Sequence, residues 1–97
     1  MTSLEASLAL LRAYRQEVGE RYGIEALGVF GSVARGEDRG DSDLDVVVRL
    51  HVPNLLTLSR IRLDLEERSG RHVDIVRYRD SLAPVLKRRL DAEAHYA

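Results

Sequence analysis

The chain has 97 residues, a formal net charge of −1 and no cysteine. That length supports one small core, so we expect a single domain over residues 1–97. The composition excludes disulfides and cysteine-ligated zinc, and the balanced charge argues against direct nucleic-acid binding. No apolar stretch is long enough to span a membrane and no signal peptide is recognisable, which favours a cytoplasmic protein.

The first half of the chain predicts a long helix followed by two strands. Thr2 and Glu5 have the spacing of a capping box, and the apolar stripe that follows is interpreted as packing on a sheet until Gly23 ends the helix. The elements predicted next are a strand over residues 24–30, a short helical turn over 32–35 closed by Gly36, a charged loop over 37–42 and a strand over 43–50.

The second half repeats the alternation of helix and strand. Leu55, Leu58, Ile61 and Leu65 predict the apolar side of a second long helix, which Gly70 ends. Residues 72–78 alternate as a third strand. A last helix is predicted to be capped by Asp80 or Ser81, with Pro84 in its first turn and Leu82, Val85, Leu86 and Leu90 on its apolar side. This order predicts an α/β fold, a small mixed sheet flanked by helices.

Two carboxylates open the second strand. Asp43 and Asp45 stand at alternate positions, which places both on one face of a strand, roughly 7 Å apart at the backbone. Carboxylates that close repel each other when both are ionised, so a cation between them is favoured. Mg²⁺ suits such a site, because it accepts one or two carboxylates and takes further ligands from waters and substrate phosphates.

A phosphate site is predicted next to this metal site. Gly31 and Ser32 end the first apolar run, where a glycine permits close backbone approach to a ligand and turn amides can bind an anion. Arg35 follows, and it could either reach a phosphate or pair with Glu37 or Asp41. The histidines show no metal-ligand spacing and are interpreted as structural or solvent-exposed: His51, His72 and His95.

The string Gly-Ser-x-Ala-Arg-Gly from Gly31 to Gly36, followed by Ser-Asp-x-Asp from Ser42 to Asp45, resembles the DNA polymerase β-type nucleotidyltransferases. Within that superfamily it is most similar to the minimal nucleotidyltransferase branch. The resemblance is close in residues 31–45, and elsewhere only length and element order agree. It implies the polymerase β-like nucleotidyltransferase core.

The resemblance also implies a third carboxylate on the third strand, and Asp74 stands at that place. The alternative interpretation of Asp74 is an edge strand with one wet face. By the resemblance, Asp43, Asp45 and Asp74 would bind two Mg²⁺ ions. Gly31 and Ser32 would hold the phosphates of ATP, and Asp74 would bind the metal near the attacking hydroxyl or take its proton.

Stand-alone proteins of this branch typically pair with a HEPN-domain RNase toxin and act as its antitoxin. The resemblance therefore implies transfer of AMP to a tyrosine of such a partner within a hetero-oligomer. Two alternatives stay open. The chain could silence the partner by masking it with an inactive site, or it could modify a small molecule, which would need a pocket that this length does not readily build.

Overall fold

The computed structural model describes residues 2–39 and 42–97. Its elements, in chain order, are α1 (Ser3–Tyr22), β1 (Ile24–Phe30), α2 (Gly31–Arg35), β2 (Leu44–Leu50), α3 (Leu55–Ser69), β3 (Val73–Arg77), α4 (Pro84–Glu93) and β4 (His95–Tyr96). This alternation confirms the predicted α/β class. The two-residue strand β4 was not predicted.

The strands form one mixed sheet in the order β3-β2-β1-β4. β1 is antiparallel to both β2 and β4, whereas β2 and β3 are parallel. The register pairs Phe30 with Asp45 across β1 and β2, and Asp45 with Asp74 across β2 and β3. Residues that are far apart in sequence thus meet at one end of the sheet.

Helices cover both faces of the sheet. The larger core lies under α1 and α3, where Leu11, Tyr14 and Ile61 are fully buried against the strands. The smaller core lies on the other face and is formed by Phe30, Val47, Leu82 and Leu90. Because side chains alternate along a strand, Asp45 shares the face of Val47, next to α4.

The N-terminal caps of α1 and α4 were both predicted from the sequence, with different outcomes. The capping box at α1 is confirmed, since the Glu5 backbone N–H donates to Thr2 Oγ1 at 3.1 Å. The predicted cap of α4 at Asp80 or Ser81 is wrong, because α4 begins at Pro84 after an extended Ala83 and has no side-chain cap. The physical reason is that a proline ring disfavours the helical conformation for the residue before it.

Two apolar positions assigned to the packed sides of helices are exposed instead. Leu55 in α3 is 82% exposed, and Val85 in α4 is 64% exposed. At 3.6 residues per turn, Leu55 lies roughly 90° around α3 from the centre of the stripe formed by Leu58, Ile61 and Leu65.

Asn54, directly before Leu55, caps α3 through Oδ1, which accepts from the Leu56 backbone N–H at 2.9 Å.

Among the described residues, no helix has both the length and the apolar character that crossing a membrane requires.

Candidate active site

Gly31 lies at the junction of β1 and α2, directly against Asp45. Its φ is 73°, and a Cβ placed there would collide with Asp45 Oδ2 and lie 2.9 Å from Asp45 Cγ. The close approach follows from the register, in which Phe30 pairs with Asp45. Gly31 is therefore needed to leave room for the Asp45 carboxylate of this chain. The sequence had suggested a different reason, namely the close approach of a ligand to the backbone.

Three carboxylates meet where β2 and β3 begin. Asp45 and Asp74 are paired residues of these parallel strands. Asp43 immediately precedes β2, and one of its oxygens lies within 4.8 Å of ligand atoms of both His72 and Asp74. The structure thus brings Asp43 and Asp74 together, while the Asp45 carboxylate lies on the Gly31 side of the cluster.

The pKa of Asp45 is raised above its ordinary value. Burial is the largest cause, and the negative charges of Asp74 and Asp43 add to it. The positive charges of Arg89 and Arg35 act in the opposite direction. Without a cation, ionised Asp45 is destabilised by its neighbours, so a divalent ion at this place would offset the repulsion.

Arg35 pairs with carboxylates. Its Nε lies 2.9 Å from Glu37 Oε2, and its Nη1 lies 3.2 Å from Glu93 Oε2 on α4. Of the two alternatives, the structure shows the ion pair with Glu37 and adds Glu93 as a second partner. The other expected partner, Asp41, lies outside the described residues.

His72 is the site residue that the sequence analysis missed. Its side chain is 58% exposed, as expected, but its Nε2 lies 3.3 Å from Asp74 Oδ1 and its Nδ1 lies 3.0 Å from Glu66 Oε2. A signal was present in the sequence. His72 precedes Asp74 by two residues, the spacing that puts side chains on one face of an extended chain.

Arg71 holds the segment that leads into Asp43. Its guanidinium donates to the Ser42 carbonyl at 3.1 Å, to Ser3 Oγ at 3.0 Å and to Asp38 Oδ2 at 2.8 Å. The ion pair is largely removed from solvent, with side-chain exposures of 14% for Arg71 and 7% for Asp38. One side chain therefore joins the start of α1, the loop after α2 and the start of β3.

The residues present fit a divalent cation. The ligand atoms offered by Asp43, His72 and Asp74 all lie within 4.8 Å of one another. Ligands on opposite sides of an octahedral Mg²⁺ are about 4.1 Å apart, so small rotamer changes would close the group on one ion. Such an arrangement can neutralise phosphate charge and can accept a proton at an exposed carboxylate.

The chain matches a family model and has relatives in other organisms. Residues 11–95 match the model described as the nucleotidyltransferase domain. Protein adenylyltransferase MntA of Thermococcus cleftensis is 40% identical over 77 residues, which are 78% of this chain and 78% of that protein.

Solved structures agree with the fold. The structure of a candidate minimal nucleotidyltransferase is 46% identical, covers 91% of this chain and 93% of its own, and has a TM-score of 0.70. This chain also matches the structure of a tri-AMPylated HEPN toxin from Shewanella oneidensis in complex with an MNT antitoxin, with a TM-score of 0.66. That structure is 16% identical and covers 98% of this chain and 71% of that chain. At that identity, the likeness shows the fold alone.

Proposed function

The chain belongs to the nucleotidyltransferase domain family, and we propose that it transfers AMP from ATP to a tyrosine hydroxyl of a HEPN toxin, thereby acting as its antitoxin. The family and the enzyme class predicted from residues 31–45, a nucleotidyltransferase of the protein adenylyltransferase kind, are confirmed. The nucleotide, the acceptor and the partner belong to the proposal.

One observation carries the proposal. Asp45 and Asp74 are register partners on adjacent parallel strands, and Asp43 lies within reach of Asp74. Clustered carboxylates at the end of a sheet are unfavourable on their own, which argues that they serve a bound cation. The same three residues were expected from the sequence as the metal and catalytic set.

The reaction forms one bond and breaks one at phosphorus. The acceptor oxygen attacks the α-phosphorus of ATP, an O–P bond forms, and the bond to the leaving pyrophosphate breaks. The O–H bond of the acceptor also breaks. The exposed carboxylate of Asp74 is placed to accept this proton, and where Asp74 holds the cation instead, the proton passes to solvent water. Asp43, Asp45 and Asp74 would hold two Mg²⁺ ions, which supply charge neutralisation at phosphorus and at both oxygens.

The phosphates of ATP are assigned to the start of α2. This helix has no side-chain cap at its first residue, so the amides at Gly31 and Ser32 are not occupied by one. Arg35 and Arg89 are close enough to lower the pKa of Asp45 and would add positive charge beside the phosphates. To touch a phosphate directly, Arg35 would exchange its contacts with Glu37 and Glu93.

A protein acceptor suits the shape of the site. Asp43, His72 and Asp74 are all exposed, so an approaching partner can cover them and complete the enclosure. Exclusion of water by that partner would strengthen the electrostatic interactions at the reacting phosphate. The relative from Thermococcus cleftensis is a protein adenylyltransferase, which supports a protein acceptor over a small molecule.

The test is co-expression of the HEPN partner with the parent chain or with Asp45→Asn, followed by intact-mass spectrometry of the partner. We expect a mass gain of one or more AMP units with the parent and none with Asp45→Asn. Incubation of the purified proteins with labelled ATP and Mg²⁺ should give the same result. A partner that gains no mass on co-expression with the parent chain, and no label on incubation with it, would refute the proposal.

A further inference from the structure

We propose that His72 is a nitrogen ligand of the divalent cation held by Asp43 and Asp74, and that it shifts the site's metal preference from Mg²⁺ towards Mn²⁺. The inference deepens the proposed function, since it concerns the metal of the same site. It depends on that function for the reaction but not for the geometry.

The first step is the position of the ring. His72 Nε2 lies 3.3 Å from Asp74 Oδ1, and the two side chains share a group of mutually close ligand atoms with Asp43. The group therefore offers two carboxylate oxygens and one imidazole nitrogen. Purely acidic clusters offer oxygen alone.

The second step is the orientation of the ring, which Glu66 fixes. Glu66 Oε2 lies 3.0 Å from His72 Nδ1, and the Val73 backbone N–H donates to the same oxygen at 3.0 Å. Arg62 Nη1 holds the other oxygen, Oε1, at 3.1 Å. Both oxygens of Glu66 thus accept hydrogen bonds from N–H donors, which makes this carboxylate an acceptor for the ring as well.

The third step follows from the hydrogen-bond inventory. Because Glu66 accepts at Nδ1, that nitrogen is used for the contact with Glu66, and Nε2 is the ring atom that faces Asp74 Oδ1 at 3.3 Å. In the absence of metal, a hydrogen on Nε2 accounts for this contact. A divalent cation would replace that hydrogen and bind both Nε2 and Oδ1, because a histidine must be unprotonated at the nitrogen that binds a metal. Carboxylate, histidine and metal in this order form a recurrent arrangement at metal sites.

The fourth step is the identity of the ion. Mg²⁺ prefers oxygen ligands, whereas imidazole suits transition metals. Mn²⁺ accepts carboxylates, phosphates and waters as Mg²⁺ does. A nitrogen ligand should therefore favour Mn²⁺ over Mg²⁺, while the carboxylates retain some affinity for both.

The experiment uses Mn²⁺ alone as the probe and a spectroscopic readout that is independent of activity. Electron spin echo envelope modulation of Mn²⁺ bound to the purified chain should show the modulation of a directly coordinated ¹⁴N nucleus. His72→Ala should remove it. His51→Ala is the matched control: His51 also pairs with a carboxylate, Glu25 Oε1 at 2.9 Å, but it lies beyond the opposite end of β2. That variant should keep the nitrogen modulation.

Calorimetry provides the second measurement. His72→Ala should weaken Mn²⁺ binding on the order of tenfold and Mg²⁺ binding much less. A parent chain that binds no Mn²⁺, or that binds it without nitrogen modulation, would overturn the inference, since neither result depends on how a variant folds. Nitrogen modulation without AMP transfer would leave the ligand in place and refute only the proposed function. AMP transfer without nitrogen modulation would refute His72 as a metal ligand and leave the proposed function in place.

Discussion

Gly31 and Gly36 share one backbone conformation but have different surroundings. Both have φ = 73°, yet a Cβ at Gly31 would collide with Asp45, whereas no described residue other than the chain neighbours lies within 4 Å of a Cβ at Gly36. The strain of a left-handed alanine, about 1–2 kcal/mol, is therefore common to both substitutions. Displacement of the Asp45 carboxylate is particular to the first.

This contrast gives a matched pair of variants. We expect Gly36→Ala to lower the free energy of urea unfolding and to keep AMP transfer. Gly31→Ala should lower the free energy of unfolding further and abolish transfer, because the Asp45 carboxylate is moved. Parent-like transfer by a folded Gly31→Ala chain would contradict the placement of Asp45 in the site.

Asp45 should limit the stability of the metal-free chain. Its pKa is raised in the folded state by burial and by Asp74 and Asp43. A raised pKa means that ionisation costs folding free energy at a pH above that raised value, and that the cost vanishes as the pH falls below the ordinary pKa of 3.8.

We therefore expect Asp45→Asn to be at least as stable as the parent at neutral pH in a chelator, although it is inactive. Any advantage should shrink as the pH is lowered towards 4, which denaturant unfolding at several pH values measures. Asp80→Asn is the control, since its side chain is 91% exposed and should leave stability unchanged. A marked loss of stability in Asp45→Asn would show that the carboxylate is well compensated without metal.

At the scale of elements, Arg71, which precedes β3, joins its own segment to the start of α1 and to the loop between α2 and β2. Its contacts reach Ser3 at the start of α1, Asp38 in the loop after α2 and Ser42 beside Asp43. Truncation of Arg71 removes three hydrogen bonds from a charged donor, one of them in a pair that is little exposed, and a loss of this kind typically costs on the order of 3 kcal/mol.

We predict that Arg71→Ala lowers the free energy of unfolding by about that amount and raises the Mg²⁺ concentration needed for AMP transfer. Arg71→Lys should recover only part of the stability and part of the Mg²⁺ affinity. An ammonium lacks the planar fork of donors with which the guanidinium reaches three acceptors. Arg60→Ala is the control, since the Arg60–Asp64 pair is long at 3.8 Å and its arginine is 63% exposed. An unchanged Mg²⁺ requirement would limit Arg71 to a role in stability.

The features that the sequence analysis missed are also found at the scale of elements. β4 has only two residues, His95 and Tyr96, so no period can reveal it. Its pairing with Gly28 and Val29 of β1 is a tertiary contact. Arg71 gave no signal because its partners are distant in sequence. The long helices and the three main strands were predictable, since their apolar periods are sustained over several turns or pleats.

At the scale of the molecule, the site depends on topology that periodicity cannot supply. The alternation of residues 43–45 predicted both carboxylates on one face of the strand, and Val46 and Val48 pack into the larger core on the opposite face. That Asp45 and Asp74 are neighbours requires β2 and β3 to be adjacent and parallel. This relation was expected only through the resemblance, because propensity does not determine strand direction.

The same topology leaves the proposed catalytic carboxylates of Asp43 and Asp74 exposed, so that binding of the partner and chemistry can be separated by substitution. Asp74 lies on the edge strand β3 and its side chain is 54% exposed. A stable protein interface involves roughly 20–30 residues on each side, and exchange of one exposed carboxylate for an amide of the same shape changes few of its contacts. We therefore predict that Asp74→Asn binds the HEPN partner with the affinity of the parent but transfers no AMP to it.

Calorimetry of the two proteins measures the affinity, intact-mass spectrometry measures the transfer, and an assay of the partner's RNase activity measures the consequence. If modification silences the partner, RNase activity should persist in the complex with Asp74→Asn and disappear with the parent, even after the two chains are separated. An unmodified partner that is silenced equally by both chains would instead identify masking as the function. Loss of binding in Asp74→Asn would place the carboxylate in the interface, because a side chain that served chemistry alone would leave the complex intact.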